Sequence, residues 1–369
     1  NVVQNCRFNE SPIITWDWNA IKTGGIGYES GGVSVYASVQ RSEGNVVRYN
    51  EFYDLFDASG IGSMDIEGPT TNFDYHDNKI LYCNDDGLEV DGANINTRVY
   101  NNLFDGCLAG VSAAPNAIGP TYFIRNTIVN WHPVEPYNGY PLKLNVDSEL
   151  STNWVFMYHN TCYTDIPEQS AFVFKQYSKW NNVISRNNIY AGTKYAMESR
   201  PLPNPVDFDY DNLYTTHNTI YAEWHNTDYD TLEELSAATG QETNGFSVDP
   251  NFVGAINGDY RLNSDSELID KGIIIHGIND EYGGIAPDIG AYEYDSAFIP
   301  PECGDEHCNG DETCSSCPDD CECIPSNFHD ADLDEDGEVS IDELIVYINL
   351  WKVEEKTASQ MLSAIEEWI

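Results

Sequence analysis

The sequence predicts an all-β solenoid, a right-handed parallel β-helix, followed by two small modules. Three observations carry this. An asparagine two residues before an apolar residue recurs through the first two-thirds of the chain: Asn50-Glu51-Phe52, Asn78-Lys79-Ile80, Asn101-Asn102-Leu103, Asn126-Thr127-Ile128, Asn160-Thr161-Cys162 and Asn187-Asn188-Ile189, with Asp211-Asn212-Leu213 as an acidic variant. The runs between these marks are short and alternate apolar with polar residues, as half-buried strands do. A unit of roughly 24 residues is too short for a strand–helix–strand crossover and matches one coil of a stacked solenoid. Right-handedness follows from the general preference of parallel crossovers.

The recurrent asparagine suits a corner between strands. It tolerates the left-handed conformation, and its amide can bond the backbone of the coils on either side. Between corners, Met64-Asp65-Ile66-Glu67 is expected to lie over Leu88-Glu89-Val90-Asp91, followed by Val111-Ser112-Ala113-Ala114, Leu142-Lys143-Leu144-Asn145 and Phe172-Val173-Phe174-Lys175. Alternation then puts Leu88 and Val90 inside, and Asp65, Glu89, Ser112 and Lys143 in one outward column. Cys83 and Cys107 are one coil apart, as a stacked pair that bridges or as two buried thiols.

Residues 230–239 read as a helix with Asp230 as its cap and Glu233 completing a capping box. Short strands return over 246–294, and Pro300-Pro301 marks a linker. The expected domains are therefore 1–296 (β-helix with its closing segment), 297–324 (Cys-rich) and 325–369 (helical).

The Cys-rich stretch holds Cys303, Cys308, Cys314, Cys317, Cys321 and Cys323. Their crowding points to a disulfide knot and an oxidising compartment, with zinc at Cys314-x-x-Cys317 as the alternative. The pairing stays open. Next comes a calcium loop of the EF-hand type, Asp332-Leu333-Asp334-Glu335-Asp336-Gly337-Glu338-Val339-Ser340-Ile341-Asp342-Glu343. Asp332, Asp334 and Asp336 supply oxygens, Gly337 makes the turn, Glu338 offers its carbonyl, Ser340 fills the ninth position and Glu343 gives a bidentate carboxylate. Val339–Trp351 and Lys356–Trp368 repeat one amphipathic pattern at a shift of 17 residues, pairing Leu344 with Met361 and Trp351 with Trp368.

This end resembles a dockerin, the calcium-stabilised module that binds cohesin domains. Its second repeat lacks an acidic loop before Gln360, so one calcium is expected, with either a cohesin-like partner or the chain itself covering the helices. Residues 246–294 resemble the closing segment of secreted right-handed β-helix proteins. The run Asn84-Asp85-Asp86-Gly87-Leu88-Glu89-Val90-Asp91 resembles the calcium-holding run of polysaccharide lyases on that fold, including pectate lyases. That resemblance implies Asp85, Asp86 and Glu89 as calcium ligands, with Asp65 as a possible fourth. It also implies a basic residue that removes the proton next to a uronate carboxylate, for which Lys143 is the first choice and Arg125 and Lys175 follow.

Charge limits the partners. The formal net charge is −44, from 17 basic and 61 acidic residues. This repels nucleic acid, anionic membranes and, at long range, polyanionic glycans, and it favours divalent cations. No apolar run is long enough to span a membrane. The chain opens inside a rung-like run, Asn1-Val2-Val3-Gln4, matching Asn45-Val46-Val47-Arg48. It therefore reads as a trimmed product whose first coil is covered by preceding chain or another copy. The functional expectation is a secreted or cell-surface calcium-binding protein with a structural, assembly or adhesive role. The alternatives are a calcium-dependent lyase and non-catalytic glycan binding, for which Trp131, His132, Tyr137, Tyr140, Tyr158 and His159 offer rings.

Overall fold

A computed structural model describes residues 1–294 apart from short segments at 11–16, 24–30, 37–41, 63–67, 135–137, 145–151, 175–179, 200–205 and 217–219. Within them the chain is a parallel β-helix. Sheet A stacks eight parallel strands from Val2–Gln4, Val46–Arg48 and Asp74–His76 through to Val206–Phe208. Sheet B stacks eight more, from Arg7–Asn9 and Glu51–Leu55 to Asn212–Thr215. Sheet C holds five: Val33–Tyr36, Ser59–Gly62, Asp86–Glu89, Ala109–Ser112 and Tyr140–Lys143.

The core is a set of stacked columns. Phe52, Ile80, Phe104, Ile128, Cys162, Tyr190 and Leu213 pair in register down sheet B, and all are buried. Val47, Tyr75, Val99, Phe123 and Met157 form the facing column of sheet A. Each coil buries little by itself, so the stability of this fold resides in contacts between neighbouring coils.

An amide ladder runs along the corner between sheets A and B through Asn50, Asn78, Asn102, Asn126, Asn160, Asn188 and Asp211. At each step the backbone N–H and the Nδ2 amide of one rung both donate to the side-chain oxygen of the next, at 2.7–3.1 Å. The second Nδ2 hydrogen returns to a strand carbonyl in the preceding coil, as from Asn126 to Val99 and from Asn160 to Phe123. The ladder thus satisfies buried amides that an apolar corner would strand.

Two rungs differ from the sequence expectation. Asn102 and Asn188, not Asn101 and Asn187, carry the ladder. The left-handed conformation belongs to the residue before each rung: Tyr49, Asp77, Asn101, Arg125, His159, Asn187 and Tyr210 all have φ between 52° and 62°. Bending and stacking are therefore separate jobs held by adjacent residues. Such backbone angles are unfavourable for most side chains and persist because the two bonds at each following rung over-determine the corner.

The helix spans Leu232–Thr239, and its cap is one residue later than expected. Thr231 accepts from the Glu234 N–H at 3.2 Å, and Leu235 faces inward, fully buried. Beyond it, Phe252–Gly254 and Asp259–Leu262 form a small antiparallel hairpin. Leu262, Leu268 and Ile289 of the closing segment pack on Ile189 and Ala191, on the outer face of sheet B. No helix among the described residues is long and apolar enough to cross a membrane.

Candidate functional site: an acidic cluster on sheet C

The Asp86–Glu89 strand lies at the centre of sheet C. Its registers are Leu88 with Val111 and Leu142, and Glu89 with Ser112 and then Lys143. Lys143 therefore occupies the Glu89 column two coils on. One coil earlier the register partner of Glu89 is Gly60, so the alignment of Met64–Glu67 over Leu88–Asp91 is corrected; Asp65 itself lies outside the described residues.

The sequence reading missed Asp57, which sits in the turn before Ser59–Gly62. Its Oδ1 accepts the Asp86 N–H at 3.1 Å, which fixes one carboxylate directly under the next coil. Ligand oxygens of Asp57, Asp86 and Glu89 all lie within 4.8 Å of one another. Asp86 is 1% exposed and Asp57 8%. Asp85 is also buried, but it points to a different partner: its Oδ2 meets Lys22 Nζ at 3.0 Å. Lys22 comes from the short helix Trp18–Thr23, and its ammonium lies 5.2 Å from the centre of the Phe56 ring.

Charges in this cluster do not balance. Asp57, Asp85, Asp86, Glu89 and Asp91 face Lys22 and Lys143. Lys143 Nζ contacts Asp86 Oδ2 at 2.5 Å. Asp86 Oδ1 is buried and has no hydrogen-bond partner among the described residues. Burial pushes the Asp86 carboxyl up to about 8, with Lys143 pulling against it. Burial, then repulsion from Asp85, raises Asp57; burial, then Asp91, raises Glu89. For Lys143, burial opposes the charge, yet Asp86, Asp91 and Asp85 prevail and hold the ammonium protonated. Asp91 has its own donors, Ser112 Oγ at 2.9 Å and the Ala114 N–H at 2.6 Å.

The donor set is chemically uniform: three carboxylates, one carrying an orphaned buried oxygen. Hard divalent cations prefer such oxygens, and calcium bonds them at about 2.3–2.6 Å, so three oxygens this close together can reach one ion. Without an ion the cluster must hold protons or remain self-repelling.

Other sequence candidates fall elsewhere. Arg125 sits at a corner between sheets A and B, and its guanidinium donates to Ala291 O at 3.2 Å and pairs with Glu293 at 3.0 Å. It anchors the closing segment. Cys83 and Cys107 are buried free thiols, and Cys162 is a third. Trp131, Tyr140 and His159 are buried, so the ring-lined groove expected there is not formed by them. Tyr137, Lys175, the six cysteines from Cys303 to Cys323 and the calcium loop Asp332, Asp334, Asp336, Glu338, Ser340 and Glu343 lie outside the described residues. Comparison of the chain with known protein families, with curated proteins and with solved structures found no match to any of them.

Proposed function

We propose that this chain is a calcium-binding structural or adhesive β-helix working outside the cell or on its surface. Asp57, Asp86 and Glu89 would hold one calcium ion, which would pin consecutive coils of sheet C together. The observation that carries this reading is the orphaned, fully buried Asp86 Oδ1 inside a trio of carboxylates. A cation there supplies the missing partner and offsets the self-repulsion. The strongly acidic composition agrees with a calcium-rich medium. The C-terminal calcium loop Asp332–Glu343 and the two amphipathic helices after it would serve as the tethering part, gripping a cohesin-like module or folding on their own chain.

Lyase chemistry is the second reading, favoured by one observation: Lys143 reaches the cluster from the Glu89 column and is a quarter exposed. As it stands, Lys143 keeps its proton, and a β-elimination base must be free of it. This weighs toward the structural role.

The test is calcium titration of the full chain by calorimetry and thermal unfolding, beside Glu89→Gln and Asp57→Asn. Loss of one binding event in both variants, with the C-terminal loop's event retained, supports the site. Unchanged calcium stoichiometry in both variants removes it. Ultraviolet detection of unsaturated sugar from uronate polysaccharides reads the lyase alternative in parallel.

A further inference from the structure

The amide ladder ends on two acids. Asn188 donates its N–H and its Nδ2 amide to Asp211 Oδ1, at 2.7 and 2.8 Å, as each rung does to the next. The Asp211 N–H then donates to Glu242 Oε2 at 3.2 Å, so Glu242 fills the position of an eighth rung. In the six asparagine rungs, a side-chain N–H stands beside that backbone bond and joins consecutive side chains. Asp211 has an oxygen there instead. Both acids are almost fully buried; among the described residues Asp211 Oδ2 and Glu242 Oε1 have no hydrogen-bond partner, while the Ser185 hydroxyl lies beside the Asp211 carboxyl. The two carboxyls nonetheless meet. Two acceptors cannot bond without a hydrogen, and two buried carboxylates in contact repel strongly.

We propose that Asp211 and Glu242 share one proton, which replaces the missing amide hydrogen and makes the last ladder step a pH-sensitive latch. With the proton in place, the 240–246 turn is tied to the solenoid. Loss of that proton to hydroxide leaves two like charges in the core and releases the turn. The backbone shows what the latch holds. Glu242 N–H bonds Phe208 O at 2.7 Å, Phe246 N–H bonds Asp211 O at 2.8 Å, and Leu213 N–H bonds Phe246 O at 2.8 Å. Glu242 adopts φ 53°, and a side chain at Gly245 would meet Glu242 Oε2 at 2.6 Å, so the turn is shaped around this carboxyl.

The surroundings favour a proton over a counter-ion. Burial raises both acids, Asp211 to about 6 and Glu242 further, the latter also through Asp211 and Asp209. The cation named as acting on Asp211 among the described residues, Arg186, is engaged with Asp207 at 2.7 Å. Tyr190, Cys162 and Tyr221 face the pair and stay neutral, because burial raises each of them.

The sign is fixed by linkage. Unfolded carboxyls release their proton near pH 4, whereas the folded pair keeps one. Stability from the latch is therefore full below about pH 4 and is lost as pH rises through the folded value, by about tenfold in the unfolding constant per unit. The experiment is urea unfolding across that range for the full chain, Asp211→Asn, Glu242→Gln and, as a control, the exposed and distant Glu267→Gln. The expected result is a slope of stability against pH that is shallower by about one proton in each of the two latch variants and unchanged in the control. A carboxylic-acid C=O band in the infrared spectrum should weaken in the same two variants. Should Asp211→Asn not fold, Glu242→Gln decides alone. Parallel slopes in wild type and the folded latch variants, with the infrared band intact, overturn the proposal.

Discussion

Asn279 donates its side-chain amide to Nε2 of His159 at 2.7 Å, joining positions 120 residues apart. Asn187 donates to the same nitrogen at 3.0 Å, so the imidazole proton resides on Nδ1, where Gly290 O accepts it at 3.2 Å. The closing segment is thereby fastened to the solenoid through a neutral histidine. Burial, then Arg125, lowers its pKa to about 3. A base with a depressed folded value gives stability that is full above its unfolded value near 6.5 and is lost as pH falls from there toward about 3. The loss is on the order of several kcal/mol. His159→Asn should be less stable at neutral pH yet show a shallower decline over that acidic range, measured by urea midpoints.

The ladder predicts a cost that depends on depth rather than on residue type. Asn126→Ala would strand the buried Asn102 N–H and the Val99 carbonyl, and would take one acceptor from the Asn102 side-chain amide, which keeps Tyr75 O and Tyr100 O. Each buried group left without a partner costs about 1–3 kcal/mol, so the total should exceed about 3 kcal/mol. Asn130→Ala is the contrast. Asn130 is half-buried; its amide donates to the half-buried Asp105 side chain at 2.7 Å and it also bonds the Tyr260 side chain, so its loss should cost less, about 1 kcal/mol. Chemical denaturation of both variants reads the difference directly.

The period of the fold was legible because one polar residue per coil has an invariant task. True ladder steps are 28, 24, 24, 34, 28 and 23 residues, close to the spacing read from the sequence. The slip at Asn101 and Asn187 arose because each begins an Asn-Asn pair in which the first bends and the second stacks. Sheet C was harder to align. Coil lengths vary at its corners, so Glu89 paired with Gly60 rather than with a residue near Asp65. Asp57 gave no sequence signal, since Phe56-Asp57-Ala58-Ser59 reads as an ordinary turn. Lys22 enters from a helix inserted in the first coil, and no repeat pattern could have placed it beside Asp85. Lys143 was found because strand register carries across coils even where corners do not.

Removing Lys143 should expose the charge imbalance of the acidic cluster. Asp86 is fully buried and Lys143 is the one hydrogen-bonding partner of its carboxylate among the described residues, so Lys143→Met leaves a buried carboxyl alone. Breaking a buried pair in this way costs about 3–5 kcal/mol, somewhat less here because the lysine is a quarter exposed. Under the proposed calcium role, saturating calcium should restore much of the loss, since a ligand at 100 times its dissociation constant adds about 2.7 kcal/mol. Melting temperatures with calcium and with chelator, for wild type and Lys143→Met, measure this. A variant that loses stability equally in both conditions would point to an ion pair without a cation site.

Gly290 tests how the closing segment is seated. Its φ is 109°, and a Cβ there would approach Ile189 Cδ1 to 2.7 Å and Thr161 Oγ1 to 3.0 Å. Its N–H also bonds Asn187 O at 2.8 Å and its carbonyl receives the His159 proton. Gly277 has a comparable left-handed φ of 83° but open space around it. Gly277→Ala should therefore cost only backbone strain, about 1 kcal/mol, whereas Gly290→Ala adds a clash with rigid solenoid atoms and should cost roughly 2–4 kcal/mol. The loss should be local. Stacked coils 1–215 keep their own core, so Gly290→Ala should retain β-sheet circular dichroism while the 247–294 segment becomes open to limited proteolysis. Cleavage that spreads into the coils at the same rate would mean that the closing segment is needed to hold the whole stack, not merely to cover the outer face of sheet B.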